Sequence, residues 1–183
     1  MPANIEIKAR ARAPERQRRL AVALSDFPEQ RLEQTDTYFN APRGRLKLRE
    51  YEGTGELIYY QRPDQNGPKR SDYLRPTIDR PAELKTLLTA ALGVRGVVRK
   101  TRWLSLRGPT RIHFDEVNGL GCFIELEVVL AQEQTDAQGA AVAADLMRRL
   151  EIEPADLIEG SYIDLLTAEV DSDSTAARPS LAR

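Results

Sequence analysis

Several stretches of this sequence alternate charged and apolar residues, so that every second position is ionic. Side chains at alternate positions of a strand point to opposite faces, so each stretch predicts a strand with one ionic and one apolar face. Carboxylates in such a row can hold a divalent cation, and rows of Lys and Arg can grip phosphate oxygens. The ionic positions are Glu6, Lys8, Arg10 and Arg12; Arg45, Lys47 and Arg49; Lys100 and Arg102; Arg111, His113 and Asp115; Glu125 and Glu127.

Two arrangements of these strands are consistent with the pattern. In an open sheet the ionic face meets water, which is the usual environment of charged strand residues. In a closed barrel the ionic face lines the interior, and helices cover the apolar outer face. Because like charges on neighbouring strands repel each other, rows of one sign favour an arrangement in which a metal ion and a polyphosphate bind between them.

The net charge is close to zero, but the two signs are divided along the chain. Residues 43–111 contain 16 Lys and Arg against 7 Asp and Glu, whereas residues 112–183 contain 4 against 15. If both segments surround one cavity, that cavity has a basic wall and an acidic wall. Otherwise the two segments form solvated surfaces of opposite sign.

The composition limits the kind of metal site that the chain can form. Cys122 is the only cysteine and His113 the only histidine, which excludes an internal disulfide, a cysteine cluster and a site with several histidines. Oxygen ligands would suit a hard cation such as Mg²⁺ or Mn²⁺. No apolar run approaches the roughly 18 residues of a membrane span, and no signal peptide is evident, so we expect a cytoplasmic protein.

Periodicity and turn residues predict about eight strands, mostly in hairpin order, with helices between them. We expect one domain at residues 1–170 and a loose polar tail at residues 171–183. Trp103 is expected to pack under a helix, and His113 to be an ordinary polar strand residue rather than part of a site. The predicted strands are 4–13, 32–39, 43–51, 56–62, 69–76, 94–107, 111–117 and 122–130, and the predicted helices are 14–25, 81–92, 140–150 and a segment starting at residue 161.

Five segments resemble, in order, the motifs of the CYTH superfamily, also called the triphosphate tunnel metalloenzymes. "NIEIK" (4–8) is similar to its ExExK strand, with Asn4 in place of the first glutamate. "LKLRE" (46–50) and "RKTR" (99–102) resemble two basic strands, and "HFDEVNGLGCFIELEV" (113–128) resembles the segment with the distal acidic residues. "SYIDLL" (161–166) resembles a C-terminal helix start of class IV adenylyl cyclases and their relatives.

This resemblance implies a fold and a set of site residues. The fold would be α+β, a closed eight-stranded antiparallel β-barrel that forms a tunnel, with helices packed on the outside. Mg²⁺ or Mn²⁺ would be held by Glu6, Asp115, Glu125 and Glu127. The implied catalytic residues are Lys8, Lys100 and Arg102, and the implied phosphate-binding residues are Arg10, Lys47, Arg49, Arg62 and Lys69.

The resemblance also implies a metal-dependent reaction on a triphosphate, for which three hypotheses remain open. The first is hydrolysis of ATP, thiamine triphosphate or inorganic triphosphate by water. The second is a class IV adenylyl cyclase, in which the 3′-hydroxyl of ATP attacks the α-phosphorus and gives cyclic AMP and pyrophosphate. The third is a non-catalytic polyphosphate or nucleotide binder. We expect a small-molecule partner rather than a membrane or a nucleic acid, and leave a homodimer open.

Two positions depart from the family pattern. Asn4 offers a neutral oxygen where relatives have a carboxylate, so it removes one negative charge from the metal end and keeps the third hypothesis open. Gln61 stands where relatives often have a lysine, with Arg62 next to it. The alternation alone does not decide which of Gln61 and Arg62 faces the tunnel.

Overall fold

The computed structural model describes residues 2–51 and 53–168 and contains one continuous sheet. The strands are β1 Ala3–Arg10, β2 Gln30–Phe39, β3 Arg45–Tyr51, β4 Thr54–Gln61, β5 Lys69–Leu74, β6 Thr77–Ile78, β7 Val94–Arg107, β8 Thr110–Val117 and β9 Gly121–Val129. The helices are α1 Pro14–Leu24, α2 Pro81–Leu92, α3 Asp136–Arg149 and α4 at residues 162–168, with a 3-10 turn at Pro154–Asp156. The predicted tail at 171–183 lies outside the described residues.

The sheet closes on itself. Its strands follow the order β3-β2-β7-β8-β9-β1-β5-β4, and β3 also pairs with β4, so that the first and last strands are hydrogen-bonded to each other. The short β6 pairs with Gly55 and Glu56 on the same edge of β4 as β5, and adds no further strand to the ring. The predicted closed eight-stranded antiparallel barrel of an α+β protein is therefore confirmed.

Alternation decides which side chains face the interior of the barrel. On β1 the polar side chains of Asn4, Glu6 and Lys8 are almost completely buried inside the barrel. The apolar side chains of Ile5 and Ile7 are buried on the opposite face, in a cluster with side chains of α1 and α3. The ionic strand faces thus point inward, as the closed arrangement requires.

Helices cover the outside of the barrel much as the sequence predicts. Helix α3 begins at Asp136, four residues before the predicted start, because Thr135 and Gln138 form a capping box there. The prediction for Trp103 is confirmed, since its ring packs on the core beneath α1. The guanidinium of Arg18 lies 4.3 Å from that ring, and Phe114 meets it edge-on.

Apolar side chains fill one end of the barrel. Phe123 and Val98 occupy inward-facing strand positions there, and Tyr162 and Ile163 of α4 pack against them. Gly96 permits this packing, because a Cβ atom at that position would collide with the Cδ1 atom of Ile163. The cavity of the barrel therefore begins above this plug of side chains and extends toward the opposite end.

Candidate functional site

Strand register brings acidic and basic positions together on the inner wall. Across the β1–β9 pairing, Lys8 is directly opposite Glu125 and Glu6 is opposite Glu127. On the other edge of β9, His113 is opposite Glu125. Three neighbouring strands therefore present their polar residues at the same two levels of the tunnel.

A cavity lies inside the barrel. It continues into a second cavity that shares Arg49, Arg102 and Glu127 with it and includes His113. Bases and carboxylates from opposite parts of the ring face each other across this space. Nine predicted site residues line the first cavity: Glu6, Lys8, Lys47, Arg49, Arg62, Lys100, Arg102, Glu125 and Glu127.

Asp36 of β2, which the sequence analysis did not single out, fixes two of the bases. Its carboxylate accepts hydrogen bonds from Lys47 Nζ at 2.8 Å and from Arg49 Nε at 2.7 Å. Burial alone would raise the pKa of Asp36, but Arg49, Lys47 and Lys100 hold it well below its usual range. Asp36 is therefore an ionised anchor for the basic wall.

Asp115 performs the same task for β7. It accepts hydrogen bonds from Arg102 at 2.6 Å and from Lys100 at 3.2 Å, and the Tyr162 hydroxyl donates to it at 2.9 Å. Burial would raise the pKa of Asp115, but Arg102 and Lys100 lower it. Asp115 lies behind the cavity surface, in contact with the bases rather than with the open space.

The three glutamates are held more loosely. Glu125 accepts a hydrogen bond from Arg102 at 2.7 Å and lies 3.2 Å from Lys8. Arg111 donates to Glu127 at 2.6 Å. Arg62 pairs with Glu6, and burial nevertheless raises the pKa of Glu6 to about 7.

Lys100 is the buried base whose charge is most sensitive to its surroundings. Burial and the neighbouring Arg102 lower its pKa to about 7, against the opposing effect of Asp115 and Asp36. At neutral pH both protonation states of this amine are therefore present. Such a group can transfer a proton as well as contact a phosphate oxygen.

His113 lies in the tunnel wall, which differs from the expectation of an ordinary strand residue. Its Nδ1 atom is 4.0 Å from Glu125 and 3.9 Å from Glu127. Burial and Arg102 lower the pKa of His113 to about 3, so the ring is neutral. In the sequence, the inward position of His113 was indicated only by its spacing of two residues from Asp115, which places both side chains on the same strand face.

Two predicted phosphate ligands do not reach the cavity. Arg10 has the expected parity, but it is an exposed residue that pairs with Phe123 at the plugged end, and its guanidinium lies 5.2 Å from the Phe123 ring. Lys69 is buried opposite Glu6, yet its ammonium donates to the backbone carbonyls of Gln65 and Glu159 at 2.6 and 2.9 Å. The other three predicted phosphate ligands, Lys47, Arg49 and Arg62, line the cavity.

The chemistry of the donor set fits a divalent cation. Glu6, Glu125 and Glu127 supply carboxylate oxygens to the same cavity from the neighbouring strands β1 and β9. Asn4 Oδ1 is buried on the same wall without a hydrogen-bond partner among the described residues. An unpaired buried carbonyl oxygen beside carboxylates is the arrangement that a hard cation would satisfy.

None of the helices within residues 2–51 and 53–168 is both long and apolar enough to cross a membrane.

Comparison with known proteins gives one family and several similar structures. The sequence model of the CYTH domain matches residues 2–162. No curated protein matches the chain in sequence.

Among solved structures, the PH1012 protein of Pyrococcus horikoshii is similar with a TM-score of 0.79 and 25% identity, over 88% of this chain and 98% of that one. A candidate adenylate cyclase of Vibrio parahaemolyticus has a TM-score of 0.72 and 16% identity, over 90% and 97% of the two chains. A Hippeastrum protein, studied as an adenylyl cyclase and described as having a dominant triphosphatase activity, has a TM-score of 0.65 and 16% identity, over 91% and 96%.

Proposed function

The chain belongs to the CYTH domain family, and from this premise we propose that it is a divalent-metal-dependent enzyme that hydrolyses a triphosphate inside the barrel. One observation carries the proposal: a basic wall from β3 and β7 faces glutamates of β1 and β9 across one buried cavity. A polyphosphate and its metal ion complement both walls at once.

The basic wall is suited to hold a phosphate chain. Lys47 and Arg49 are fixed by Asp36, and Lys100 and Arg102 by Asp115. Because these aspartates hold the bases in position before a ligand arrives, little reorganisation accompanies binding. The bases would contact the oxygens of successive phosphates and stabilise the charge that shifts during phosphoryl transfer.

The glutamate wall would hold Mg²⁺ or Mn²⁺ through Glu6, Glu125 and Glu127. When bound, the cation would supply Lewis-acid neutralisation of phosphate oxygens. Lys8 lies between Glu125 and the ring of Tyr162, which its Nζ approaches to 3.8 Å from the ring centre. This position keeps the ammonium at the boundary of the two walls, where it would contact the transferred phosphate.

Hydrolysis requires that the oxygen of a water molecule attack phosphorus while the anhydride P–O bond breaks. Lys100 can donate a proton to the departing phosphate oxygen or accept one from water, because both of its protonation states are present near neutral pH. Lys8 and Arg102 would stabilise the charge on the phosphate oxygens. In this proposal the chain positions its groups around the phosphates and leaves the nucleophile to solvent.

Adenylyl cyclase activity is the second candidate. Near its outer part the cavity is lined by Leu32, Tyr51 and Leu104, which offer apolar surface beside the basic residues. Such surface favours an organic group attached to the triphosphate. If that group is a nucleoside, its 3′-hydroxyl could replace water as the nucleophile, releasing pyrophosphate.

A substrate panel tests these alternatives. The protein is incubated with Mg²⁺ or Mn²⁺ and with ATP, thiamine triphosphate or inorganic triphosphate, and phosphate, pyrophosphate and cyclic AMP are measured. Phosphate release supports hydrolysis, and cyclic AMP with pyrophosphate supports the cyclase. Binding without turnover would leave a non-catalytic binder.

Matched variants assign the activity to the tunnel. Lys8→Met removes a charge from the cavity and should abolish turnover. Lys85→Met removes a lysine that pairs with Glu50 outside the cavity and should leave turnover unchanged. Equal activity of the two variants would place the reaction elsewhere.

A further inference from the structure

One cluster in the tunnel contains a nitrogen among its oxygen donors. Ligand atoms of His113, Glu125 and Glu127 all lie within 4.8 Å of one another. The Nδ1 atom of His113 is 3.9 Å from Oε1 of Glu127 and 4.0 Å from Oε2 of Glu125. Two ligands of one ion, each bound at about 2.1 Å, are about 3–3.5 Å apart, so side-chain movements of less than about 1 Å would close this cluster around an ion.

His113 presents an unpaired nitrogen to the two carboxylates. The residue is 3% exposed, and Nδ1 has no hydrogen-bond partner within the part of the chain that the structure describes. Buried polar atoms in folded proteins are nearly always paired, so this exception needs a reason. A neutral imidazole is also the form in which histidine binds metals.

The two glutamates retain oxygens that can bind a cation. Among the described residues, the hydrogen bond that Arg111 donates to Glu127 goes to Oε2, and so does the one that Arg102 donates to Glu125. No described residue donates a hydrogen bond to Oε1 of either glutamate. Glu127 therefore keeps its bond to Arg111 and still directs Oε1 at His113. The Glu125 oxygen nearest to His113 is Oε2, which Arg102 also contacts, so Glu125 would share Oε2 with Arg102 or rotate its carboxylate to offer Oε1.

Asp115, the fourth metal ligand in the sequence-based prediction, is placed differently. Its Oδ1 accepts a hydrogen bond from Arg102 at 2.6 Å, and its Oδ2 accepts others from Arg102 at 2.6 Å and from Tyr162 at 2.9 Å. Both oxygens are committed, and the carboxylate does not line the cavity. His113 lies two residues earlier on the same strand face and does line it.

We propose that His113, Glu125 and Glu127 bind a divalent transition-metal ion, with the imidazole nitrogen as a ligand in the position that the sequence pattern gives to Asp115. This inference deepens the proposed function and rests on it for the role of the ion. A nitrogen ligand raises the preference for Mn²⁺, Co²⁺ or Zn²⁺ over Mg²⁺, which binds oxygen ligands almost exclusively. Three protein ligands also leave coordination positions for a phosphate oxygen.

The single histidine permits a direct test on the whole wild-type chain. The protein, prepared without a histidine tag and stripped of metal, receives one equivalent of Mn²⁺, and pulsed EPR measures nitrogen coupling to the ion. We expect ¹⁴N coupling that changes to the ¹⁵N pattern when the histidine is labelled with ¹⁵N. This measurement needs neither turnover nor a variant that folds.

Variants then measure the contribution of His113 to affinity. His113→Gln should lose the nitrogen coupling. Calorimetry should show Mn²⁺ binding weakened by about tenfold and Mg²⁺ binding changed by less than about twofold. Gln34→Ala is the matched control, because it removes another unpaired buried oxygen from the same cavity. It should keep the coupling.

The outcomes separate this inference from the proposed function. Mn²⁺ that fails to bind, binds without nitrogen coupling, or binds equally well to His113→Gln overturns the histidine site, while triphosphate hydrolysis can still rest on the glutamates. Nitrogen coupling in a protein that turns over no triphosphate supports the site and overturns the proposed hydrolysis.

Discussion

The buried aspartates of the barrel and its glutamates are held in different ways. Asp36 and Asp115 each accept hydrogen bonds on both carboxylate oxygens, and their partners are bases of β3 and β7. Each of the three glutamates, in contrast, accepts hydrogen bonds from described side chains on one oxygen alone. The aspartates are also the more deeply buried group, at 1% and 0% exposed, whereas Glu6 and Glu125 are 6% and 8% exposed and the Glu127 side chain 18%.

This difference indicates that the carboxylates of the barrel have two different roles. A carboxylate whose oxygens are both occupied neutralises and orients its bases, and its loss leaves uncompensated charge in the interior. A carboxylate with a spare oxygen can still bind a cation. Mutations of the aspartates should therefore affect mainly stability, and mutations of the glutamates mainly metal binding and turnover.

The largest effect on stability is expected for Asp115→Asn. The change leaves Lys100 and Arg102 without their main counterion, and should lower the free energy of unfolding by about 3–5 kcal/mol. Urea denaturation of the metal-free protein measures it. Glu127→Gln is the control, with an expected loss below about 1 kcal/mol, because its partner Arg111 is partly exposed. Equal losses in the two variants would remove the distinction.

Glu127→Gln should instead affect turnover. If Glu127 binds the metal, kcat/KM for the triphosphate should fall at least about a hundredfold, or about 2.7 kcal/mol of transition-state stabilisation. Phosphate release at high Mn²⁺ concentration measures the effect, with Lys85→Met as the reference. Activity close to that of the wild type would exclude Glu127 from the metal site.

The aspartate-held bases also predict how stability depends on pH. Lys100 has its pKa lowered from 10.5 to about 7 in the folded protein. Between these values the unfolded chain binds more protons than the folded one, so the free energy of unfolding increases as the pH rises above about 7. Lys100 alone adds about 3 kcal/mol between pH 7 and 9.5, so Tm should increase by about 10 °C over this range, at roughly 2–4 °C per kcal/mol.

Lys69 contributes in the same direction, because burial lowers its pKa to about 8. Lys100→Met should therefore reduce the rise in Tm without abolishing it. The same slope in wild type and variant would mean that Lys100 titrates at its ordinary pKa.

The smallest effect is expected for Asn4→Glu, which adds a carboxylate to the glutamate wall. Metal affinity should increase by about tenfold, since it follows the number of charged ligands. The metal-free protein should become less stable at neutral pH, because the new charge lies near Glu6 and Glu127. Calorimetric titration with Mg²⁺ and Mn²⁺ measures this, with Asn4→Gln as the neutral control. Unchanged affinity would show that the site operates without a carboxylate at that position.

Alternation in the sequence predicted which side chains of a strand point into the barrel. It did not predict how far along the barrel axis each of these side chains lies. Arg10 has the parity of Glu6 and Lys8, yet it lies one step further along β1, beyond the point where Phe123 fills the interior. The plug depends on α4, more than 100 residues away in the chain. No local pattern contains that information.

Contacts between distant segments account for the other differences. Lys69 faces inward as its parity requires, but its ammonium donates hydrogen bonds to the backbone carbonyls of residues 158 and 159 and not to a ligand in the cavity. Asp36 is a lone acid between two threonines and belongs to no ionic row, so its pairing with β3 became visible only in three dimensions. Closure of the barrel was likewise inferred from family resemblance, since alternation is equally compatible with an open sheet.

The apolar plug formed by Phe123, Val98, Tyr162 and Ile163 makes the barrel a blind channel. The deep lining residues are buried, whereas Arg75 and Tyr73 toward the opposite end are accessible to solvent. If a polyphosphate binds as proposed, it would enter by its end and leave by the opening through which it came. A long polyphosphate could not thread through, so only its terminal units would reach Lys100. The catalyst would shorten such chains stepwise from the end, and each product would have to depart before the next substrate could enter.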